Sequence, residues 1–159
     1  MIREQKGMNE LNAIHISLKG LETILYGQNY EVHVQFEAVS ESTDLTKAIT
    51  ELRKTYKGVN LQPDKLVAIP FQEFSESVIK QFNYAGSSSH GPRFTKPKLE
   101  DFEKLNTKLW QLLKQKFIPS HTVIYRIPAI QPWIYWDFCF LIVSKDRNKV
   151  YLFEGGASD

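Results

Sequence analysis

The most apolar part of the chain lies near its C-terminus, where WIYWDFCFLIVS at residues 133–144 meets the polar break KDRNK and a second apolar run, VYLFE. Aromatic and β-branched residues on both alternating faces mark a strand buried on both sides. Two such runs about a short polar break predict a β-hairpin that the rest of the chain must cover. After Glu154 the tail GGASD is small and polar, and is expected to fray or form a flexible terminus.

Upstream, Leu11, Ile14, Leu18, Leu21 and Leu25 recur at spacings of three and four, which predicts an amphipathic helix capped by Asn9 and stopped at Gly27. Ile14, Ile16 and Leu18 also alternate like a strand, and Gly20 costs a helix about 1 kcal/mol against alanine. The longer stripe decides for the helix. From Tyr30 to Val39 the alternation is strict, with Val32, Val34, Phe36 and Ala38 on one face and Glu31, His33, Gln35 and Glu37 on the other. That is a strand with one wet face, so His33 reads as solvent-facing.

Leu45, Ile49, Leu52 and Tyr56 predict a second helix, with Thr43 or Asp44 as its cap and Gly58 as its stop. Residues 66–69 form a brief strand halted by Pro70, and Phe74, Val78 and Phe82 predict a helix over 71–82. The stretch NYAGSSSHGPRFTKP at 83–97 is a loop rich in glycine, serine and proline. Phe102, Leu105, Leu109, Leu112 and Leu113 then predict a long helix from Pro97 to about Phe117, with Glu100 and Asp101 in the turn that favours anions. Thr122 to Ile127 reads as a strand and Pro128–Pro132 as a rigid corner before the hairpin.

Strands bunched at the C-terminus after a run of helices predict an α+β fold, a mainly antiparallel sheet packed against about four helices. The expected organisation is a single domain over residues 8–156, preceded by a disordered tail at 1–7.

Composition changes this picture little. The formal charge of the 159-residue chain is +2, too small a bias to point to nucleic acid or an anionic membrane. The run Phe138–Val143 is far shorter than the roughly 20 apolar residues a membrane helix needs. No secretory signal is read at the N-terminus, and a single cysteine, Cys139, suits a reduced, cytoplasmic setting.

No GxSxG, GxxxxGK[ST] or HExxH pattern occurs, and the GSSSHG run at 86–91 lacks the apolar strand that precedes a phosphate loop. His15, His33, His90 and His121 share no ligand spacing, so neither a metal nor a cofactor is expected. Cys139 in its apolar strand reads as a core residue rather than a nucleophile. Asp137 shares a face with Trp133, Tyr135, Cys139, Leu141 and Val143, and is expected to be partly buried and paired with Arg126.

The function these readings favour is a non-catalytic cytoplasmic binding protein that docks a protein partner, of the size of a bacterial immunity-type or accessory protein. The partner-binding candidates are Tyr84, His90, Arg93 and Phe94 of the long loop, with Trp133 beside the proline corner. The alternative is a small hydrolase-like enzyme whose cleft joins Asp137, His90 and Arg93.

Overall fold

The chain begins with helix α1 (Ile2–Leu25), and a two-residue strand β1 (Gly27–Gln28) leads from it to the long strand β2 (Glu31–Ser40). Helix α2 (Leu45–Thr55), strand β3 (Val67–Ile69) and helix α3 (Phe71–Phe82) follow. The short strand β4 (Gly91–Pro92) and helix α4 (Lys96–Lys116) precede the C-terminal strands β5 (Thr122–Arg126), β6 (Trp136–Ser144) and β7 (Lys149–Ser158). This computed structural model describes residues 2–87 and 89–159; Met1 of the expected tail and Ser88 of the 86–91 run lie outside the described residues.

Five strands form one antiparallel sheet in the order β2-β7-β6-β5-β3, and β1 pairs separately with β4. The predicted hairpin is its centre, because β7 lies between β6 and β2. Asn148 takes a φ of 51° in the hairpin turn, a left-handed conformation that asparagine adopts more readily than most residues.

Alternation divides the core cleanly. Trp136, Phe138, Phe140 and Ile142 of β6 point to one face with Phe36 and Phe153, where α1, α3 and α4 cover them. Cys139, Leu141 and Val143 point to the other with Val150 and Leu152, under Ala48, Ile49 and Leu52 of α2. Asp44 caps α2 by accepting from the backbone amides of Thr46 and Lys47.

The outer edge of β2 is closed by side chains of α1. Glu22 Oε1 accepts from the Val34 amide at 2.8 Å, and the His15 ring bonds the Phe36 carbonyl at 2.6 Å. These contacts occupy backbone groups that an open edge would offer to another strand.

Three expectations need correcting. Helix α1 starts at Ile2, so residues 2–7 are helical and Asn9 is interior rather than a cap. Beside that first part of the helix, Arg147 of the hairpin turn donates to Glu10 at 2.7 Å. The tail is not frayed either: β7 continues to Ser158, and Gly155, Gly156 and Ala157 are buried between β2 and β6. Larger residues there would force their neighbours to shift, because the Phe138 ring fills the space over Gly155 and the Trp133 indole fills that over Gly156. Finally, β6 begins at Trp136 and not at Trp133, since the amides of Ile134 and Tyr135 both donate to the Ala157 carbonyl, at 3.1 and 3.0 Å. That shared acceptor interrupts the ladder and folds Trp133 back over the sheet.

Candidate functional site

Strand β2 starts, β7 ends and β6 starts at the same end of the sheet. The 83–95 loop is drawn to this end by the β1–β4 pairing, which sets Gly27 opposite Pro92 and Gln28 opposite Gly91. Gly86 and Gly91 have φ values of 71° and 141°, and a β-carbon on Gly27, Gly86 or Gly91 would overlap neighbouring backbone. The Ser87 amide donates to the His90 carbonyl at 2.5 Å, and Asn29 Nδ2 donates to the Ser89 carbonyl at 3.3 Å. The loop is therefore pinned by backbone contacts, although its sequence has no packing pattern.

Pinning the loop brings aromatic rings together. Tyr84 stacks on Tyr30 at 5.8 Å and on Tyr135 at 6.0 Å, and the His90 ring lies 6.0 Å from Tyr135. Trp136 Nε1 donates to the Tyr30 hydroxyl at 2.5 Å, and burial pushes that hydroxyl up to about 12. Trp133 sits across the sheet, its ring centroid 5.6 Å from His33. Between Trp133 and Tyr135, Ile134 is 63% exposed.

Of the predicted binding residues, Tyr84 and His90 thus share one cluster, while Trp133 lies over Gly156 on the other face of the sheet. Phe94 leaves the group to pack on Phe102 of α4 at 5.7 Å, and Arg93 is exposed.

Beneath Trp133 lies a cleft of about 450 Å³. Its floor is Glu154 and Gly155 of β7, its near side His33 and Gln35 of β2, its wall Trp133 and Gln131, and Glu22 stands at its outer rim. Glu154 is only 4% exposed. One carboxylate oxygen accepts from Gln35 Nε2 and the other from Cys139 Sγ at 3.7 Å. Gln35 also donates to the Tyr56 hydroxyl at 2.9 Å, which donates to Glu37 at 3.2 Å. Among the described residues no cation pairs with Glu154. Burial holds its carboxyl above the usual carboxylate range. Burial and the Glu154 charge push the Cys139 thiol far up, so it stays protonated and unreactive.

Asp137 contradicts its expected burial and pairing. It shares its face with Cys139, Leu141 and Val143 as read, although Tyr135 turns to the other face against Tyr30; but Asp137 stands opposite Gly156 at the start of β6 and is exposed. Arg126 is in register with Phe140 and so points to the opposite face of the sheet. There it pairs with Glu73 at 3.1 Å and donates to Ser77 Oγ at 2.7 Å.

The cleft expected to join Asp137, His90 and Arg93 is not formed at any of the three described clefts; the other two are lined by residues 38–51 and by residues 60–67 with Arg126 and Pro128. Among the described residues no three metal-ligating side chains converge. Glu154 is the site residue that sequence reading missed. Two signals could have found it: a lone carboxylate in the apolar run VYLFE, and the glycine pair after it, which marks a close approach by another group.

No protein family and no curated protein matches the chain. Its fold is similar to that of citrus MAF1, solved in two crystal forms. In space group P 31 2 1 the TM-score is 0.55 at 11% identity, covering 90% of this chain and 97% of that one. In space group C 2 2 21 it is 0.51 at 12% identity, covering 89% and 98%. At such identity the likeness concerns the fold alone.

Proposed function

We propose that this chain is a non-catalytic binding protein that docks a protein partner through the aromatic end of its sheet. The observation that carries the reading is the convergence of Tyr30, Tyr84, His90 and Tyr135 from separate segments, with Ile134 exposed next to Tyr135. Rigid aromatic residues around an exposed aliphatic side chain supply large contact area at low entropic cost, and tyrosine and tryptophan are enriched where binding energy concentrates. Cytoplasmic residence and an accessory or immunity-type role belong to the same proposal. A single buried, unpaired cysteine and the lack of a recognised catalytic motif support them.

The test is a photo-crosslinking residue placed at position 134, with one at the exposed Val67 on the far edge of the sheet as control. A partner captured from position 134 alone, and bound at least about tenfold more weakly by the Ile134→Asp protein with an unchanged melting temperature, is the expected result. Equal capture at both positions, or unaltered affinity in Ile134→Asp, would overturn the reading.

A further inference from the structure

We infer that the cleft under Trp133 is a receptor for one guanidinium group, an arginine side chain of the docked protein partner. The inference rests on the docking reading and identifies what one part of that surface takes.

The floor of the cleft is a carboxylate that the fold has removed from water and that no cation among the described residues pairs with. Gln35 and Cys139 each bond one oxygen of Glu154. A carboxylate has about four lone-pair positions, so acceptor capacity is left over on the cleft side. At the rim, Glu22 adds a second carboxylate, bonded to the Val34 amide at 2.8 Å and to Lys19 Nζ at 3.0 Å. The wall is the Trp133 indole, tilted by 33° against the His33 ring. A buried carboxylate lining the same cleft as an indole and an imidazole suits a planar cation, which can stack on an aromatic ring while its N–H groups reach the oxygens.

The other ligand classes fare worse on the same geometry. An anion would meet Glu154 and Glu22 together. An apolar group would strip water from Glu154 and Gln35 and offer no hydrogen bond in return, a loss of several tenfold steps in affinity. Ammonium is a compact point charge without the flat face that Trp133 and His33 can stack against, so arginine is favoured over lysine. Burial supports the same choice: Glu154 is held toward its protonated form in the free protein, and a cation supplies the charge that makes its ionised form favourable.

The experiment titrates the full chain, ¹⁵N-labelled, with N-acetyl-arginine amide, N-acetyl-lysine amide and N-acetyl-citrulline amide, the last a neutral isostere of the first. Expected is saturable binding of the arginine probe, on the order of millimolar for a lone side chain, moving the Trp133 indole and the Gly155 and Gly156 amides. The lysine probe should bind about fivefold or more weakly, and the citrulline probe should not shift these signals. Glu154→Gln should abolish the arginine response, and Val67→Asp on the far edge of the sheet should leave it intact. Citrulline binding as well as arginine, lysine matching arginine, or no shift at Gly155 and Gly156 would overturn the assignment. Capture at position 134 without an arginine response leaves docking standing and removes the guanidinium receptor. An arginine response without capture does the reverse.

Discussion

Trp133 lies over Gly156 with its indole in the space a β-carbon would need, so one missing side chain on β7 makes room for the wall of the cleft. Gly156→Ala forces the indole or the strand to shift. The expected cost is about 1–3 kcal/mol in urea unfolding, together with a changed tryptophan emission spectrum. Unchanged stability and emission would mean that Trp133 does not pack there.

Leu109 of α4 is 0% exposed, whereas Leu99 on the same helix is 44% exposed. Leu109→Ala should lose about 2–5 kcal/mol through a cavity under α4. Leu99→Ala should stay within about 0.5 kcal/mol. Similar losses in the two variants would show that the helix is rotated from the orientation described.

Asp137 gives the opposite expectation to the one its sequence invites. With Arg126 engaged by Glu73 on the other face of the sheet, Asp137→Ala should change stability by no more than about 0.5 kcal/mol. A loss well beyond that would require a partner for Asp137 in solution.

Periodicity made most of the architecture legible. Phe74, Val78 and Phe82 mark α3, and Val32, Val34 and Phe36 mark the buried face of β2, because burial on one side leaves a regular trace. Face assignment along β6 was legible for the same reason. Extent was not: burial of Asp137 depends on where α2 stops covering the sheet, a tertiary fact with no local signal. The GGAS segment of β7 was misread because its strand character comes from neighbours on both sides, not from its own side chains. Within the candidate site, Trp133, Tyr84 and His90 were found by residue type. Glu154 was passed over, because an acid ending an apolar run reads as a strand terminus until the strand is seen to continue.

Lys116 in the last turn of α4 is 3% exposed, with its Nζ 5.0 Å from the centre of the Tyr151 ring. Burial, reinforced by Arg147 and Lys149, pulls its ammonium down from 10.5 to about 8; Glu10 and Asp146 act the other way. Below pH 8 the charged form carries its full desolvation cost. Between 8 and 10.5 the folded chain releases this proton while the unfolded chain keeps it, so stability from this group rises with pH. Lys116→Met should therefore melt higher than the parent near pH 7, and the gap should narrow by about pH 10. A gap that is reversed, or that widens with pH, would refute the assignment.

Glu154 runs with the opposite sign, because an acid is neutral when protonated. Its carboxyl is raised above 4.5, by burial first and by Glu37 last, while the bonds from Cys139 and Gln35 partly offset the rise. Below 4.5 the group is protonated in both states and costs nothing. As pH climbs, the unfolded chain releases the proton first, so the folded state loses stability until its own raised pKa is passed. Above that point the penalty is complete and constant. Glu154→Gln keeps an oxygen to accept from Gln35 and carries no charge to desolvate. Relative to the parent, the variant should gain stability between about pH 4 and about pH 7, read as the difference in urea midpoints at the two conditions. If the variant instead loses ground as pH rises, Glu154 is stabilised as an anion by the free fold. The cleft would then already hold its counter-charge, and a cation from outside would have nothing left to offset.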